Sequence, residues 1–527
     1  MRRRSLLAAG PALATLAAPA ALRAQAQTTL RFIPQADLTA LDPVWTSVYV
    51  TRNYAYLVYD TLYGQDSGFG IRPQMVEGHS VGDDGRLWRL TLRPGLRFHD
   101  NSPVLARDAV ASIRRWGRRD AFGQTLMAST AELSAPDDRT IQFRLHRAFP
   151  FLPEALGKIG VNMLPIMPER LAMTDPFKQV TEVMGSGPFR FVADERVVGA
   201  RVVFAKFDGY VPRGEAPEWT TGGKVAHFDR VVWTVIPDAA TAAAAMQRRE
   251  ADWWEQPVFD LLPQLKRAPD LVQSVVEVTG NVGVMRFNQL QPPFDNPAVR
   301  RAIVGALDQS EFVAAVVGDT PNASRTGIGV FAPGTPMASS AGLEALTGPR
   351  DVAGAARALK AAGYDGRRIV VTTPTDYPRI DAMSQVGADL LRRIGFNVDL
   401  QAMDWGTVIQ RRANKGTPEQ GGWNVQVTSL TGADMSSPAG HIGIRGNGEN
   451  AWFGWPSAPE LERARDAWLA APDLALQKEA AAQIQRQVFV DVPYLPLGQF
   501  FQPTVMHKSL TGAVQGMALF WNIRRSG

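Results

Sequence analysis

Residues 368–403 read RIVVTTPTDYPRIDAMSQVGADLLRRIGFNVDLQAM, a pattern that predicts a strand, a helix and a second strand. Both ends, RIVVTT and NVDLQAM, are short runs with β-branched and other apolar residues, as is typical of strands. Between them, apolar residues recur at helical spacing: Ile380, Met383, Leu390 and Ile394. Gly395 then ends the helix, because glycine readily adopts a left-handed terminal conformation. A strand–helix–strand unit implies a parallel pair with a right-handed crossover, so the fold class of this half is predicted to be α/β.

The alternation of helices and strands continues on both sides of this unit. A helix is predicted near 405–414, a strand at 423–428 and two helices between 459 and 491. Upstream, Asn296 is a good helix N-cap and Pro297 fits the first helical turn.

The first half of the chain shows a different, antiparallel pattern. Apolar residues alternate with polar ones at 88–92 and again at 141–145, as in strands with one buried face. Residues 66–184 are therefore predicted to form a small α+β unit inserted early in the chain. A strand at 29–34 and a helix at 48–62 precede it.

A sharp turn is predicted at Gly185-Ser186-Gly187-Pro188, after which FRF and ARVVFAKF read as a hairpin. A buried strand at 228–236 and a helix that Asp238 could cap follow.

The amino-terminal segment is typical of an export signal. Three arginines precede an Ala/Leu-rich run to Leu22, and small residues flank Gln25. A basic start, a short apolar middle and small residues at the end predict a cleavable signal over residues 1–26. The adjacent arginines leave the twin-arginine route open beside the general one. We therefore expect a periplasmic protein.

The charge and the cysteine count exclude several classes of protein. The formal charge of +5 includes four arginines and no acid in residues 1–26, so the mature chain carries +1. No basic block remains that could neutralise phosphates, and nucleic-acid binding is not expected. The absence of cysteine excludes disulfides and a lipid-anchor cysteine. Roughly 500 mature residues predict more than one domain.

The stretch 431–456, TGADMSSPAGHIGIRGNGENAWFGWP, is a candidate ligand-binding loop. Its glycines disfavour regular structure, and most loops carry small polar residues rather than large aromatic ones. It follows the strand predicted at 423–428, and ligands bind at the carboxyl ends of strands in open α/β sheets. The alternative is a surface loop whose tryptophans cover a neighbouring helix. Its notable residues are Asp434, His441, Arg445, Trp452 and Trp455.

Sequence motifs of the common catalytic and metal sites are missing. The chain has neither a Gly-x-Ser-x-Gly elbow, nor a phosphate-binding Gly-x-x-x-x-Gly-Lys, nor a His-Glu-x-x-His. The six histidines show no ligand spacing, so each is more often structural than functional. We therefore expect no enzyme activity, no metal site and no cofactor.

Several stretches resemble the periplasmic solute-binding proteins of ABC importers, specifically their dipeptide, oligopeptide and nickel branch. They occur in the family's order and cover nearly all of the mature chain. They are LDPVWTSVYVTRNYAYLVYDTLYG at 41–64, RPQMVEGHSVGDDGRLWRLTLRPGLRFHDNSPVLARDAVASIRRW at 72–116, GSGPF at 185–189 and FNQLQPPFDNPAVRRAIVGALDQ at 287–309.

The resemblance implies a two-lobed α/β periplasmic-binding-protein fold of class II type, with an extra α+β subdomain in the first lobe. A small solute would be enclosed between the lobes and delivered to the membrane subunits of an ABC importer. We expect a monomer. The implied ranges are signal peptide 1–26, first lobe 27–65, 185–275 and 492–527, extra subdomain 66–184, and second lobe 276–491.

For the site, the resemblance implies a role for Asp434, which falls where peptide-binding members hold the ligand ammonium with an aspartate. A peptide or a related amine-bearing compound is therefore the expected solute. Arg445 is a candidate partner for a carboxylate by its charge alone. The remaining candidates are apolar walls and contacts from both lobes: Trp405, Trp452, Trp455, Trp45 and Tyr49.

Two other functions stay open at this stage. A secreted hydrolase would require two carboxylates facing each other across the cleft. A carrier of nickel or a nickel chelate would use His441, which lies within the candidate loop, but would need further ligands.

Overall fold

The computed structural model describes residues 28–526, so the predicted signal peptide lies outside the described residues. The described part is a mixed α/β structure built on two large sheets. Its strands are β1 Thr29–Ile33, β2 Tyr63–Gln65, β3 Ile71–Pro73, β4 Val76–Gly82, β5 Leu87–Leu92, β6 Thr130–Ser134, β7 Thr140–Leu145, β8 Phe189–Phe191, β9 Arg201–Lys206, β10 Arg230–Thr234, β11 Trp253–Trp254, β12 Leu271–Ser274, β13 Asn281–Phe287, β14 Ser324–Arg325, β15 Arg368–Pro374, β16 Asn397–Met403, β17 Val425–Thr431, β18 Tyr494–Phe500, β19 Thr504–His507, β20 Leu510–Thr511 and β21 Arg524–Arg525.

The α-helices surround these sheets. They are α1 Tyr49–Val58, α2 Ala106–Trp116, α3 Ala121–Ser129, α4 Leu152–Gly157, α5 Glu169–Ala172, α6 Ala239–Gln247, α7 Leu262–Lys266, α8 Pro297–Val304, α9 Gln309–Val317, α10 Glu344–Thr347, α11 Val352–Ala361, α12 Pro378–Ile394, α13 Trp405–Arg411, α14 Pro459–Ala470 and α15 Leu474–Asp491. No helix in residues 28–526 combines the length and the apolar character that a membrane crossing requires.

A seven-stranded sheet, in the order β12-β19-β11-β1-β10-β9-β8, forms the first lobe. Strand β1 pairs in parallel with β10 and β11, and the outer strands are antiparallel. Strand β19 returns from the far end of the chain to lie between β11 and β12. The first lobe is therefore built from both ends of the described chain.

A six-stranded sheet, in the order β14-β18-β13-β17-β15-β16, forms the second lobe. The strand–helix–strand prediction for 368–403 is confirmed, because β15 and β16 pair in parallel and α12 connects them. Gly395 has a φ of 110°, the left-handed conformation that ends α12. The chain enters this lobe between β12 and β13 and leaves it between β18 and β19.

A four-stranded antiparallel sheet, β4-β5-β7-β6, lies within residues 66–184, where an α+β unit was predicted. Helix α2 packs on this sheet, and Trp88, Leu90 and Ile141 belong to the same apolar core as its buried face. The ranges predicted for the lobes and the subdomain as a whole stay predictions.

Local signals in the sequence correspond to specific contacts. The side chains of Asn296 and Asp238 accept hydrogen bonds from Ala298 N and Thr241 N at the starts of α8 and α6. Gly185 lies against the end of α1, where a Cβ atom would stand 2.0 Å from the Val58 carbonyl oxygen. Only glycine fits there, which explains the sharp turn.

Three predicted boundaries differ from the structure. The helix predicted at 48–62 ends at Val58, because Tyr59 is already extended. The helix predicted at 405–414 ends at Arg411. The strand predicted at 423–428 is β17, which runs on to Thr431 because every residue from 425 to 431 pairs with β13. Pairing with a neighbouring strand, rather than local sequence, sets this last boundary.

Candidate ligand-binding cleft

The loop 431–456 follows β17 and contains only two short 3₁₀ turns, Ile442–Ile444 and Gly448–Asn450. One buried arginine of β13 holds it in place. Arg286 donates to the carbonyl oxygens of Phe453 (2.7 Å), Gly443 (3.1 Å) and Trp452 (3.2 Å). Burial lowers the pKa of Arg286 to about 9. The absence of regular structure is thus compatible with a defined loop conformation.

A cavity of about 300 Å³ lies between the two lobes, with this loop as one wall. The first lobe contributes residues that precede α1 and residues around the ends of α2 and α3. The second lobe contributes the end of α13 and the loop. The principal lining side chains are Trp45, Thr46, Ser47, Arg118, Arg119, Gln124, Asn162, Phe177, Arg412, Lys415, Arg445, Glu449, Trp452, Phe453 and Trp455.

Asp434 is buried and its carboxylate already has three protein donors. Its oxygens accept from Tyr49 Oη (2.6 Å), Val161 N (3.0 Å) and Thr431 Oγ1 (2.7 Å). Tyr49 and Val161 belong to the first lobe, so Asp434 joins the two lobes. Asp434 borders a different cavity of about 230 Å³, together with Glu154 and Lys158.

His441 is completely buried beside β18 and does not reach the cavity lining. Its Nδ1 accepts from Gly443 N (3.2 Å), which leaves Nε2 protonated to donate to Tyr494 Oη (2.9 Å). Burial, with the nearby Arg286 and Arg465, lowers the pKa of His441 to about 3. The imidazole is therefore neutral and holds the loop against the second sheet.

Arg445 lines the cavity but its charge is balanced by the protein. Its Nε lies 3.1 Å from a carboxylate oxygen of Glu462, and its Nη1 donates to the Ala121 carbonyl oxygen at 3.0 Å. The second contact crosses to the first lobe. Arg445 therefore connects the two lobes through this hydrogen bond, independently of any contact with a solute.

The tryptophans predicted from the loop do face the cavity. Trp452 donates from Nε1 to Ser47 Oγ across the lobes at 3.1 Å. Trp455 lies against the Trp423 ring, with a centroid distance of 6.1 Å. Both rings present apolar surface to the cavity.

The other three predicted residues lie at or near the same interface. Trp45 lines the main cavity, whereas Trp405 and Tyr49 line a narrow extension of about 20 Å³ that shares Ser47, Arg412 and Trp452 with it. The Trp405 Nε1–H has no acceptor among residues 28–526. Burial, followed by the charge of Asp434, raises the pKa of Tyr49, so its hydroxyl is a donor at neutral pH.

The cavity also contains cationic residues that the sequence did not single out. Arg412 follows α13, and Arg119 follows α2. Each belongs to a pair of adjacent arginines at a helix end, but basic residues are common there because they favour the helix dipole. The 293 positions between Arg119 and Arg412 hide their proximity in the linear sequence.

The lining carries few groups for hydrolysis or metal binding. Glu449 is the one acidic side chain among the residues that line the main cavity, and Lys415 binds it at 2.8 Å. A carboxylate pair of the kind a glycosidase uses is therefore not present in this lining. Among residues 28–526, no group of three His, Asp or Glu side chains could hold a metal ion.

The comparisons with known proteins agree on one family. Residues 70–450 match the family model described as bacterial extracellular solute-binding proteins, family 5. The probable peptide ABC transporter periplasmic-binding protein y4tO of Sinorhizobium fredii is 36% identical over 99% of this chain and 99% of its own.

Solved structures share the fold at lower identity. The binding protein AgaA from A. tumefaciens R10, in complex with agropinic acid, gives a TM-score of 0.78 at 20% identity over 94% of this chain and 98% of its own. DppA from Helicobacter pylori, in complex with the peptide STSA, gives 0.78 at 19% identity over 96% of this chain and 100% of its own.

Proposed function

The chain belongs to the bacterial extracellular solute-binding proteins of family 5, and from this membership we propose that it captures a small peptide or a related amine-bearing compound. Members of this family bind a solute outside the cytoplasm and deliver it to an ABC importer, and this chain serves that function. The peptide class is suggested by the relative y4tO and by the peptide held in DppA.

The observation that carries the proposal is a cavity lined by both lobes. A solute of a few residues would contact Trp45 and Arg119 on one side and Arg412 and Trp452 on the other. Such a ligand makes its full set of contacts only when the lobes are closed. Binding therefore shifts the population towards the closed form, which an importer can distinguish from the open form.

Direct bonds between the lobes accompany this closure. Tyr49 Oη donates to Asp434, Trp452 Nε1 donates to Ser47 Oγ, and the Tyr377 hydroxyl donates to Gln35 Oε1 at 2.6 Å. Ligand contacts would add to these bonds.

Among the residues expected at the site, we propose direct solute contacts for Trp45, Trp452, Trp455 and Arg445. Trp405 and Tyr49 would bound the narrow extension, where the Trp405 N–H, which has no acceptor among residues 28–526, would donate to the solute. Asp434 and His441 would act indirectly, because their polar atoms are already bonded to the protein.

We also propose that the protein catalyses no reaction, works as a monomer and reaches the periplasm through the cleavable segment 1–26. Its relatives are binding proteins of transporters. Amino-terminal sequencing of the exported protein should begin near residue 27, and light scattering should give the mass of one mature chain. Retention of residues 1–26, or the mass of a dimer, would contradict these points.

Native mass spectrometry of protein purified from a bacterial periplasm tests the proposed function. We expect a co-purified adduct with the mass of a small peptide or related solute, released on unfolding. The Trp452→Ala variant should carry less adduct, whereas a change at the exposed Arg392 of α12 should not alter it. An adduct that is a sugar, or the consistent absence of any small molecule together with no binding of peptide mixtures, would contradict the proposal.

A further inference from the structure

Arg412 is a buried cation at the centre of the cleft whose charge the protein does not balance. Its side chain is 4% exposed, yet no carboxylate in residues 28–526 lies within ion-pair distance of it. Its Nη2 lies 3.3 Å from Ser47 Oγ and 3.5 Å from Thr46 Oγ1, and its Nε has no acceptor. The guanidinium also lies 4.5 Å from the centroid of the Phe453 ring, a contact that uses the face of the group and not its five N–H donors, so most of these donors remain available.

Arg286, in the same lobe, shows how a buried arginine without a carboxylate partner can be satisfied by the protein. Arg286 is equally buried and also has no carboxylate partner, but three carbonyl oxygens accept its hydrogen bonds. Arg286 is thus an ordinary structural arginine. Arg412 lines both the main cavity and its narrow extension, and its unused donors belong to a group that faces them.

The other cationic side chains that line the cavity differ in whether a carboxylate pairs with them. Lys415 pairs with Glu449, and Arg445 pairs with Glu462. Arg119 donates to the Trp45 carbonyl oxygen at 2.9 Å and has no carboxylate partner among residues 28–526. Burial and the charge of Arg119 together lower the pKa of Arg412 to about 9, which leaves it cationic at neutral pH. Arg119 and Arg412, one from each lobe, therefore both lack a carboxylate partner among residues 28–526, as does Arg118, which also lines the cavity but is exposed to solvent.

Arg412 is buried and Arg119 is half-buried, so bringing these two like charges to one cavity opposes closure, and a ligand anion between them removes that cost. A planar carboxylate fits the fork of a guanidinium through two parallel hydrogen bonds, which are among the stronger charge-assisted bonds in proteins. Asp434 offers no comparable site for an ammonium in this cavity, because it lies outside the cavity lining and its oxygens already accept three hydrogen bonds.

We infer that the solute carries a carboxylate that binds between Arg412 and Arg119, and that this anion is the charge by which the cleft selects its ligand. The inference rests on the proposed function and deepens it. The ammonium of a zwitterionic peptide then contributes little to selection. Arg412 supplies the bidentate contact, and Arg119 supplies the second charge from the opposite lobe.

The test uses pools of random tripeptides prepared with four combinations of ends: a free or amidated carboxyl end, and a free or acetylated amino end. The mature protein is mixed with each pool, and the retained peptides are quantified by mass spectrometry after ultrafiltration. We expect amidation to reduce retention at least tenfold, and acetylation to change it less than threefold. Retention that depends on the free amino end and not on the free carboxyl end overturns the inference.

Variants separate a binding role from a structural one. Arg412→Gln and Arg119→Gln should each lose the preference for the free acid, whereas Arg412→Lys should keep a weakened preference because it retains the charge without the fork. Arg392→Gln, on the exposed side of α12, is the control for net charge. The ligand-free melting temperature of Arg412→Gln should not fall, since no protein acceptor with a charge is lost. An unchanged acid preference in Arg412→Gln overturns the inference and leaves the proposed function standing.

If the wild-type protein retains none of the four pools, peptide capture itself is contradicted. The carboxylate inference is then decided by the solute that co-purifies with protein from the periplasm. A solute with a carboxylate, lost from Arg412→Gln, supports the inference, and a neutral or purely cationic solute overturns it.

Discussion

At the scale of single residues, burial and partners separate the charged groups that hold the fold together from those free to meet a solute. Asp42, from the LDP stretch, accepts two hydrogen bonds from Arg115 and one from Val180 N deep in the first lobe. The Asp434 carboxylate is likewise held by the protein, because it accepts hydrogen bonds from three protein donors. Arg412 differs from both, because it is a buried cation whose Nε has no acceptor among residues 28–526. The same residue types thus have different roles according to their surroundings.

Asp434→Asn tests whether this residue acts through the protein or on the solute. An amide cannot keep all three bonds, because Tyr49 Oη and Thr431 Oγ1 donate to one carboxylate oxygen and Val161 N donates to the other, so an amide NH₂ would face one of these donors. We expect a loss of about 1–3 kcal/mol in the free energy of unfolding, measured by urea denaturation, with a modest loss of solute affinity in calorimetry. Tyr49→Phe, which removes one of the donors, should show a smaller loss. Unchanged stability with abolished binding would instead indicate a direct contact with a ligand ammonium.

The lowered pKa of the buried His441 is expected to make the free energy of unfolding depend on pH. Its pKa is near 6.5 when unfolded and about 3 when folded, so between these values the unfolded chain binds more protons. Stability contributed by the neutral imidazole is therefore present above pH 6.5 and is lost as the pH falls, by up to about 1.4 kcal/mol per pH unit. Denaturation of wild type and His441→Gln at pH 7 and pH 4.5 measures the difference. Identical slopes in the two proteins would rule out this role.

At the scale of elements, the loop 431–456 shows how a chain segment without regular structure is given one conformation. Its glycines let the backbone approach other elements, and Gly454 lies so close to the Phe287 carbonyl oxygen that a Cβ atom would be 2.5 Å from it. Arg286 then binds three of its carbonyl groups. The loop that forms the cleft wall is therefore positioned by Arg286 of the neighbouring strand β13 as well as by β17, which precedes it in the chain.

Arg286→Met tests this support. The substitution leaves three loop carbonyl groups without their donor and should cost about 1–3 kcal/mol of stability, measured by chemical denaturation. Hydrogen exchange should become faster in peptides that cover 443–453. Arg300→Met, at an arginine of α8 with similar burial whose carbonyl partners all lie outside the loop, is the matched control and should leave exchange in these peptides unchanged. Equal effects of the two substitutions on exchange in these peptides would show that Arg286 does not hold the loop.

At the scale of the whole molecule, two lobes meet across a cleft that carries both fixed bonds and uncompensated charge. The chain crosses between the lobes at the segments that join β12 to β13 and β18 to β19. These two crossings are the natural places for a hinge. The bonds from Tyr49, Trp452 and Tyr377 favour closure, whereas Arg119 and Arg412 oppose it until an anion arrives.

Closure by ligand is expected to be visible in solution scattering. Protein stripped of solute by unfolding and refolding should have a larger radius of gyration than protein saturated with its co-purified solute. At a solute concentration of 100 times the dissociation constant, stability should also rise by about 2.7 kcal/mol. Arg412→Gln should close more readily without solute and respond less to its addition. A radius that is the same with and without solute would contradict a ligand-driven closure.

Much of the fold could be predicted because it depends on neighbours in the chain. The unit at 368–403, the caps at Asn296 and Asp238, and the stop at Gly395 all follow from side-chain periodicity and backbone preference. The end of β17 could not be predicted, because pairing with β13 extends the strand beyond its apolar run. The structure places the tryptophans of the candidate loop in the cavity lining, and their contact with a solute stays a prediction. The partners of Asp434 and Arg445 were not foreseeable.

The amino-acid sequence by itself determined the α/β class, the antiparallel unit and the family, because these depend on local patterns and on motifs in a fixed order. Only the tertiary structure decided which charged side chains have partners within the protein and which do not. Asp434 is bonded by Tyr49 and Val161 of the other lobe, and Arg445 donates to the Ala121 carbonyl of the other lobe, while Arg119 and Arg412 line the same cleft without a carboxylate partner among residues 28–526. The physical reason is that the charge balance of a buried group depends on its neighbours in space, and contacts across the lobes join residues separated by hundreds of positions.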